Sequence, residues 1–97
     1  MLDILSLAIA GGANAIEWDR DSDGSLEVSF LSGNTGIGFI LNRAEGLDFV
    51  AYIRERRRAS RGKFRVSLDG KDYIIDVKTY DHFGENAHRL TWRPSRR

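Results

Sequence analysis

Residues 42–63 read NRAEGLDFVAYIRERRRASRGK, and the fold follows from how this stretch divides. Asn42 has the side chain of a helix N-cap, and Glu45 stands three residues on, the spacing of a capping box. At 100° per residue, Leu47, Phe49, Val50, Ala51 and Ile53 form one continuous apolar arc, the pattern of a helix laid on a hydrophobic surface. Gly46 costs that helix roughly 1 kcal/mol of propensity relative to alanine, which points to close packing on a sheet beneath. Arg54 and Arg57 fall inside the same arc, so the packed length is expected to stop near Ile53. Beyond it comes a projecting turn of arginines whose aliphatic stems lie along the sheet. A central helix is expected over 43–58.

The strands lie on either side of this helix. After it, Phe64, Val66 and Leu68 alternate with Arg65 and Ser67 up to Asp69-Gly70, a strong two-residue turn signal. That loop puts Phe64, Val66, Tyr73, Ile75 and Val77 on one apolar face. Arg65, Ser67, Asp72, Ile74, Asp76 and Lys78 then share the other. Residues 80–86, YDHFGEN, read as an exposed connection, and His88, Leu90 and Trp92 alternate in a last strand that Pro94 stops, leaving 95–97 as a tail. Before the helix, Ile16 and Trp18 pair with Leu26, Val28 and Phe30 across the turn-rich run Asp19 to Gly24. Ser32-Gly33-Asn34 leads to a third strand with Ile37, Phe39 and Leu41 on one side and Gly36, Gly38 and Ile40, an unusually bare set, on the other. Glycine inside a strand marks a bulge or a close approach to the backbone. Residues 2–10 form a short helix, apolar nearly all round, suited to burial or an oligomer contact.

The bulk numbers bound the class. Ninety-seven residues make one domain over 1–97, long enough for a core without staples. There is no cysteine, which excludes disulfides, thiolate metal sites and thiol chemistry. No apolar run approaches the roughly 18 residues of a membrane span, and no basic residue precedes the apolar start as in a secretory signal. The expectation is a cytoplasmic protein with no membrane contact. The net charge of +1 hides an asymmetry: residues 1–48 carry eight acids and two bases, residues 49–97 carry 13 bases and six acids. Such a chain can hold a polyanion with its second half, pair with itself, or neutralise itself on folding.

The basic set comprises Arg54, Arg57, Arg58, Arg61 and Lys63 at the helix end, then Arg65, Arg89 and Arg93 on the outer faces of strands. Tyr80 and Phe83 stand in the nearby loop. Arginines beside exposed aromatics suit phosphate contact with base stacking, while cations at a helix C-terminus also simply favour the macrodipole. Other patterns are weaker. Asp19, Asp21, Asp23 and Gly24 match the first half of a calcium loop, but its twelfth position, where a bidentate glutamate belongs, is Phe30. Arg57-Arg58-Ala59-Ser60 has the form favoured by basophilic kinases. Gly33-Asn34-Thr35-Gly36 has the spacing of a KH-type loop but is flanked by strands, not helices. Asp81, His82, Glu85 and His88 have metal-ligand chemistry, with Gly84 against their presentation on one helix. No constellation forms an active site.

Residues 25–53, a strand, a glycine-containing turn, a second strand and a helix ending Phe49-Val50-Ala51-Tyr52-Ile53, resemble the end of a repeat of the purine-rich-element-binding family. Residues 73–78, YIIDVK, resemble that repeat's opening strand. The resemblance implies a curved antiparallel sheet, one helix and single-stranded nucleic-acid binding, although here the opening-type strand follows the helix.

The expectation is therefore an α+β domain: a mainly antiparallel, twisted sheet of five or six strands, the central helix packed across it, and a short N-terminal helix. The expected function is a small non-enzymatic module, with no cofactor or metal, that contacts single-stranded or structured RNA or DNA through the arginine-rich helix end and adjacent sheet face. The alternative is a protein-interaction module, such as a phage- or mobile-element-type inhibitor or adaptor docking on a partner protein; a small hydrolase using Asp81 and His82 is a third reading. Homo-oligomerisation stays open.

Overall fold

A computed structural model describes residues 2–20, 23–60, 63–82 and 85–95, with the side chains of 59, 60, 80–82, 85 and 86 left out of the description. The elements run α1 (Leu2–Ala10), β1 (Ala15–Arg20), β2 (Leu26–Ser32), β3 (Thr35–Leu41), α2 (Arg43–Ser60), β4 (Lys63–Leu68), β5 (Lys71–His82) and β6 (Glu85–Pro94). All six strands form one antiparallel sheet in the order β3-β2-β1-β6-β5-β4. This is the expected α+β architecture. Two three-stranded meanders meet at β1 and β6, and α2 carries the chain from one sheet edge, β3, to the other, β4. Each meander is laid out in the same order, β3-β2-β1 and then β6-β5-β4.

The helix grammar is realised at α2. Glu45 N donates to Asn42 Oδ1 at 2.9 Å and Asn42 N donates to Glu45 Oε1 at 3.1 Å, a reciprocal capping box. Phe49 and Ile53 are buried and Val50 and Tyr52 pack partly against them. A Cβ at Gly46 would stand 3.1 Å from Leu26 Cβ, so the glycine is what lets the first turn settle onto β2. Beyond Ile53, Arg57 is half-buried, while Arg54, Arg56 and Arg58 are exposed.

The two-residue hairpins whose turns lie among the described residues match strand twist. Asp69 and Gly70 have φ of 51° and 78°, a type I′ turn. Gly33 has φ 62° and Asn34 a negative φ, as in type II′.

Alternation and register sort the side chains onto two faces. Ile16, Trp18, Val28, Phe64, Val66, Ile75, Val77 and Leu90 face the helices and form the core. Trp18 meets Phe49 edge to face, with ring centroids 5.0 Å apart. From α1, Leu5 and Ala8 are fully buried, but Leu7 is exposed. The short helix thus has a solvent side that its composition concealed.

One expectation is corrected. Residues 80–86 are not a free connection: β5 runs to His82 and β6 starts at Glu85, with Tyr80 opposite Ala87, Asp81 opposite Asn86 and His82 opposite Glu85. This arm extends past Trp18↔His88, the last β1–β6 pair. With no third strand beside it to bury a face, it needs no apolar alternation, and its strand character was invisible to periodicity. At the other end Ser95 N donates to Asp72 O at 2.8 Å, while Arg96 and Arg97 lie outside the described residues.

Candidate anion-binding cleft

Strand parity continues past the core. Arg20 follows Ile16 and Trp18 at even spacing, so β1 delivers it to the helix side of the sheet. On α2, Val50, Ile53, Arg54 and Arg57 follow at intervals of three and four, one helical stripe. The two sets meet in a cleft of about 380 Å³ lined by Trp18, Arg20, Leu26, Val50, Ile53, Arg54, Arg57, Val77 and His88. Arg20, Arg54 and Arg57 line it together with apolar side chains, and among the described residues no carboxylate does.

Two details give the cleft chemical direction. Arg57 Nε is buried and has no hydrogen-bond partner among the described residues. A buried donor left this way costs about 1–3 kcal/mol, more when charged, so an acceptor reaching it would recover that cost. His88 is half-buried, stacked on Trp18 with centroids 5.4 Å apart and 21° between planes. Its Nδ1 lies 2.9 Å from Thr79 Oγ1. Burial, and then the positive charge of Arg57, hold its pKa below the ordinary histidine value. The imidazole is therefore kept neutral in a site that already concentrates positive charge. Guanidinium groups on an apolar floor suit a planar or tetrahedral oxyanion, which they grip through paired N–H donors.

The sequence-predicted basic residues divide between two faces. Arg54 and Arg57 line the cleft, and Arg58 is exposed on the same helix. Lys63, Arg65, Arg89 and Arg93 stand on the opposite, open face of the sheet, where register aligns Arg65, Ile74 and Arg93 in one row. Acids interrupt them. Asp76 sits opposite both Lys63 and Thr91, and the narrow groove there includes Asp76 beside Lys63 and Arg93. Arg89 Nε donates to Glu17 Oε2 at 2.6 Å and also forms an ion pair with it. The helix body and sheet thus separate the cleft from the outer-face cations, which do not form one strip with Arg54 and Arg57. Tyr80 has a strand position opposite Ala87, its side chain outside the description, and Arg61 and Phe83 lie outside the described residues.

Arg20, Trp18 and His88 are the cleft residues that motif reading missed. Their signal was parity, since residues 16, 18 and 20 must share a face, but the helix above them could be placed only by the tertiary fold.

At the acidic turn, Asp23 Oδ1 accepts from both Ser25 N, at 2.9 Å, and Ser25 Oγ, at 2.6 Å. Those bonds hold its carboxyl below the usual carboxylate pKa. This is a turn-forming use of aspartate; Asp21 lies outside the described residues. Among the described residues no group of three or more His, Cys, Asp or Glu side chains could hold a metal ion, and no helix is long and apolar enough to cross a membrane. The chain matches no protein-family model and no curated protein. The likeness to purine-rich-element-binding repeats thus remains one of local pattern.

Proposed function

We propose that this chain is a nucleic-acid-binding module that holds backbone phosphates of single-stranded or structured RNA or DNA in the cleft beneath α2. The observation that carries the reading is the convergence of Arg20, Arg54 and Arg57 on a cleft that no described carboxylate lines, with Arg57 Nε buried and without a hydrogen-bond partner among the described residues. Trp18 is buried, so the cleft offers a phosphate grip and leaves the bases outside. A polymer fits better than a small anion because positive charge continues past the cleft. Arg56 and Arg58 stand exposed in the same last turns of α2. A field of that extent favours a polyanion.

Fluorescence anisotropy with labelled single-stranded oligonucleotides tests this. Three phosphate contacts predict binding that weakens roughly twenty-fold between about 50 and 200 mM salt. Arg54→Ala combined with Arg57→Ala removes two of them and flattens the log–log salt slope from about −2 to about −0.7. No binding at about 50 mM salt would sink the proposal.

A further inference from the structure

The two edges of the sheet are built differently. The type II′ turn makes Ser32↔Thr35 the hydrogen-bonded closing pair of its hairpin, so Thr35, Ile37, Phe39 and Leu41 bond to β2. The bond from Asn14 N to Leu31 O, 2.7 Å, agrees: Leu31, which faces Gly36, directs its carbonyl to β1. The backbone N–H and C=O groups of Gly36, Gly38 and Ile40 therefore point outward along an open edge. By the same rule at Leu68↔Lys71, the outward residues of β4 are Lys63, Arg65 and Ser67. Charged side chains are a common defence against edge pairing. β4 has that defence, and β3, TGIGFIL, carries no charged residue and no proline.

β3 also exposes large apolar side chains: Ile37 is 68% and Ile40 66% accessible. On the helix leaving that strand, Leu47 is 52% accessible. Four large exposed apolar side chains occur among the described residues, and three lie here.

The sequence of β3 is complementary to itself about Gly38. An antiparallel copy centred there sets Gly38 opposite Gly38, Ile40 opposite Gly36 and Ile37 opposite Phe39. Gly38 is an outward-bonding residue, so the twofold axis falls on a hydrogen-bonded pair, and three such pairs supply about six bonds. The large Ile40 side chain lies over the bare Gly36 of the second copy on the open face. On the helix face Ile37 adjoins Phe39, which already packs edge to face with Phe30. No like charges meet in this register.

We propose that β3 is a homodimerisation edge, through which two copies join their sheets into one of twelve antiparallel strands about a twofold axis at Gly38. The contact is closed by symmetry and does not propagate. Both helix layers then lie on one side of the joined sheet. The contact uses backbone bonds and apolar side chains, so it is insensitive to salt and independent of the nucleic-acid reading.

Because the chain has no cysteine, single cysteines report the register directly. A Cβ at Gly38 would make ordinary contacts with Ser29 Oγ, 3.6 Å, and Val28 O, 3.7 Å, so Gly38→Cys is accommodated. Under mild oxidation Gly38→Cys is expected to form covalent dimer at least about tenfold faster than Thr35→Cys, whose copies stand roughly 20 Å apart at six strand residues. In sedimentation equilibrium the wild-type chain is expected at twice its 11.0 kDa mass in low and high salt. Ile37→Lys with Ile40→Lys is expected to be monomeric with an unchanged circular dichroism spectrum. Equal cross-linking of the two cysteine variants, or a dimer that survives the paired lysines, would overturn the assignment. So would a monomeric wild-type chain, which would leave the edge to a strand of a different protein.

Discussion

His88 and Arg57 line one cleft, and the arginine acts on the histidine. Burial and the neighbouring guanidinium depress the imidazole pKa, so the unfolded chain takes up that proton first as pH falls. Stability is therefore retained above the ordinary histidine value and lost as pH falls from it through the folded-state value. A phosphate in the cleft reverses the electrostatic part. In a His82→Gln background, the NMR titration of His88 should move to higher pH on adding oligonucleotide, and also in Arg57→Gln. An unmoved midpoint in both would remove His88 from the site. Gly46 makes a different point at the same scale. Alanine gains about 1 kcal/mol of helix propensity but brings a Cβ to 3.1 Å from the backbone-anchored Cβ of buried Leu26. Overpacking costs about 1–3 kcal/mol, so Gly46→Ala should lower stability by up to about 2 kcal/mol in urea unfolding; a stabilised variant would mean that β2 yields easily.

Among elements, those fixed by local chemistry were legible and those fixed by distant pairing were not. The capping box at Asn42 and Glu45, the part of the apolar arc formed by Phe49, Val50 and Ile53, and the Asp69-Gly70 hairpin can each be read within a few residues, because the groups that decide them are neighbours in sequence; Leu47 and Ala51, expected in that arc, are exposed. Asn42→Ala should cost about 1 kcal/mol and Gly70→Ala a similar amount, since φ of 78° is strained for any side chain. Both are measurable by thermal or urea unfolding, and no change in either would mean the turn or cap relaxes without loss. The arm formed by the ends of β5 and β6 was hidden because backbone pairing alone defines it. The meeting of β1 with β6 was hidden too, as it joins residues 15–18 to 88–91. The cleft depends on that meeting, which sets Trp18 and His88 side by side beneath α2. Arginine content pointed to α2; alternation assigned Arg65 and Arg93 to an outer face without showing that α2 and the sheet separate them from Arg57.

For the molecule as a whole, the charge asymmetry of the sequence becomes a spatial one. The acid-rich meander β1–β3 and the base-rich meander β4–β6 lie side by side, with the Arg89–Glu17 pair across their seam. On the open face the two signs are interleaved and largely cancel. In the cleft, among the described residues, they do not, since Arg20, from the acidic half, adds to Arg54 and Arg57. The central claim is thus that binding belongs to one face. It is tested most directly by comparing oligonucleotide affinity, at one low salt concentration, in two double variants of equal charge loss: Arg54→Ala with Arg57→Ala in the cleft, and Arg65→Ala with Arg93→Ala on the open face. At about 1–2 kcal/mol per lost charge-assisted contact, the cleft variant should lose at least about tenfold in affinity and the open-face variant less than about threefold. Equal losses, or a larger loss from the open face, would contradict it.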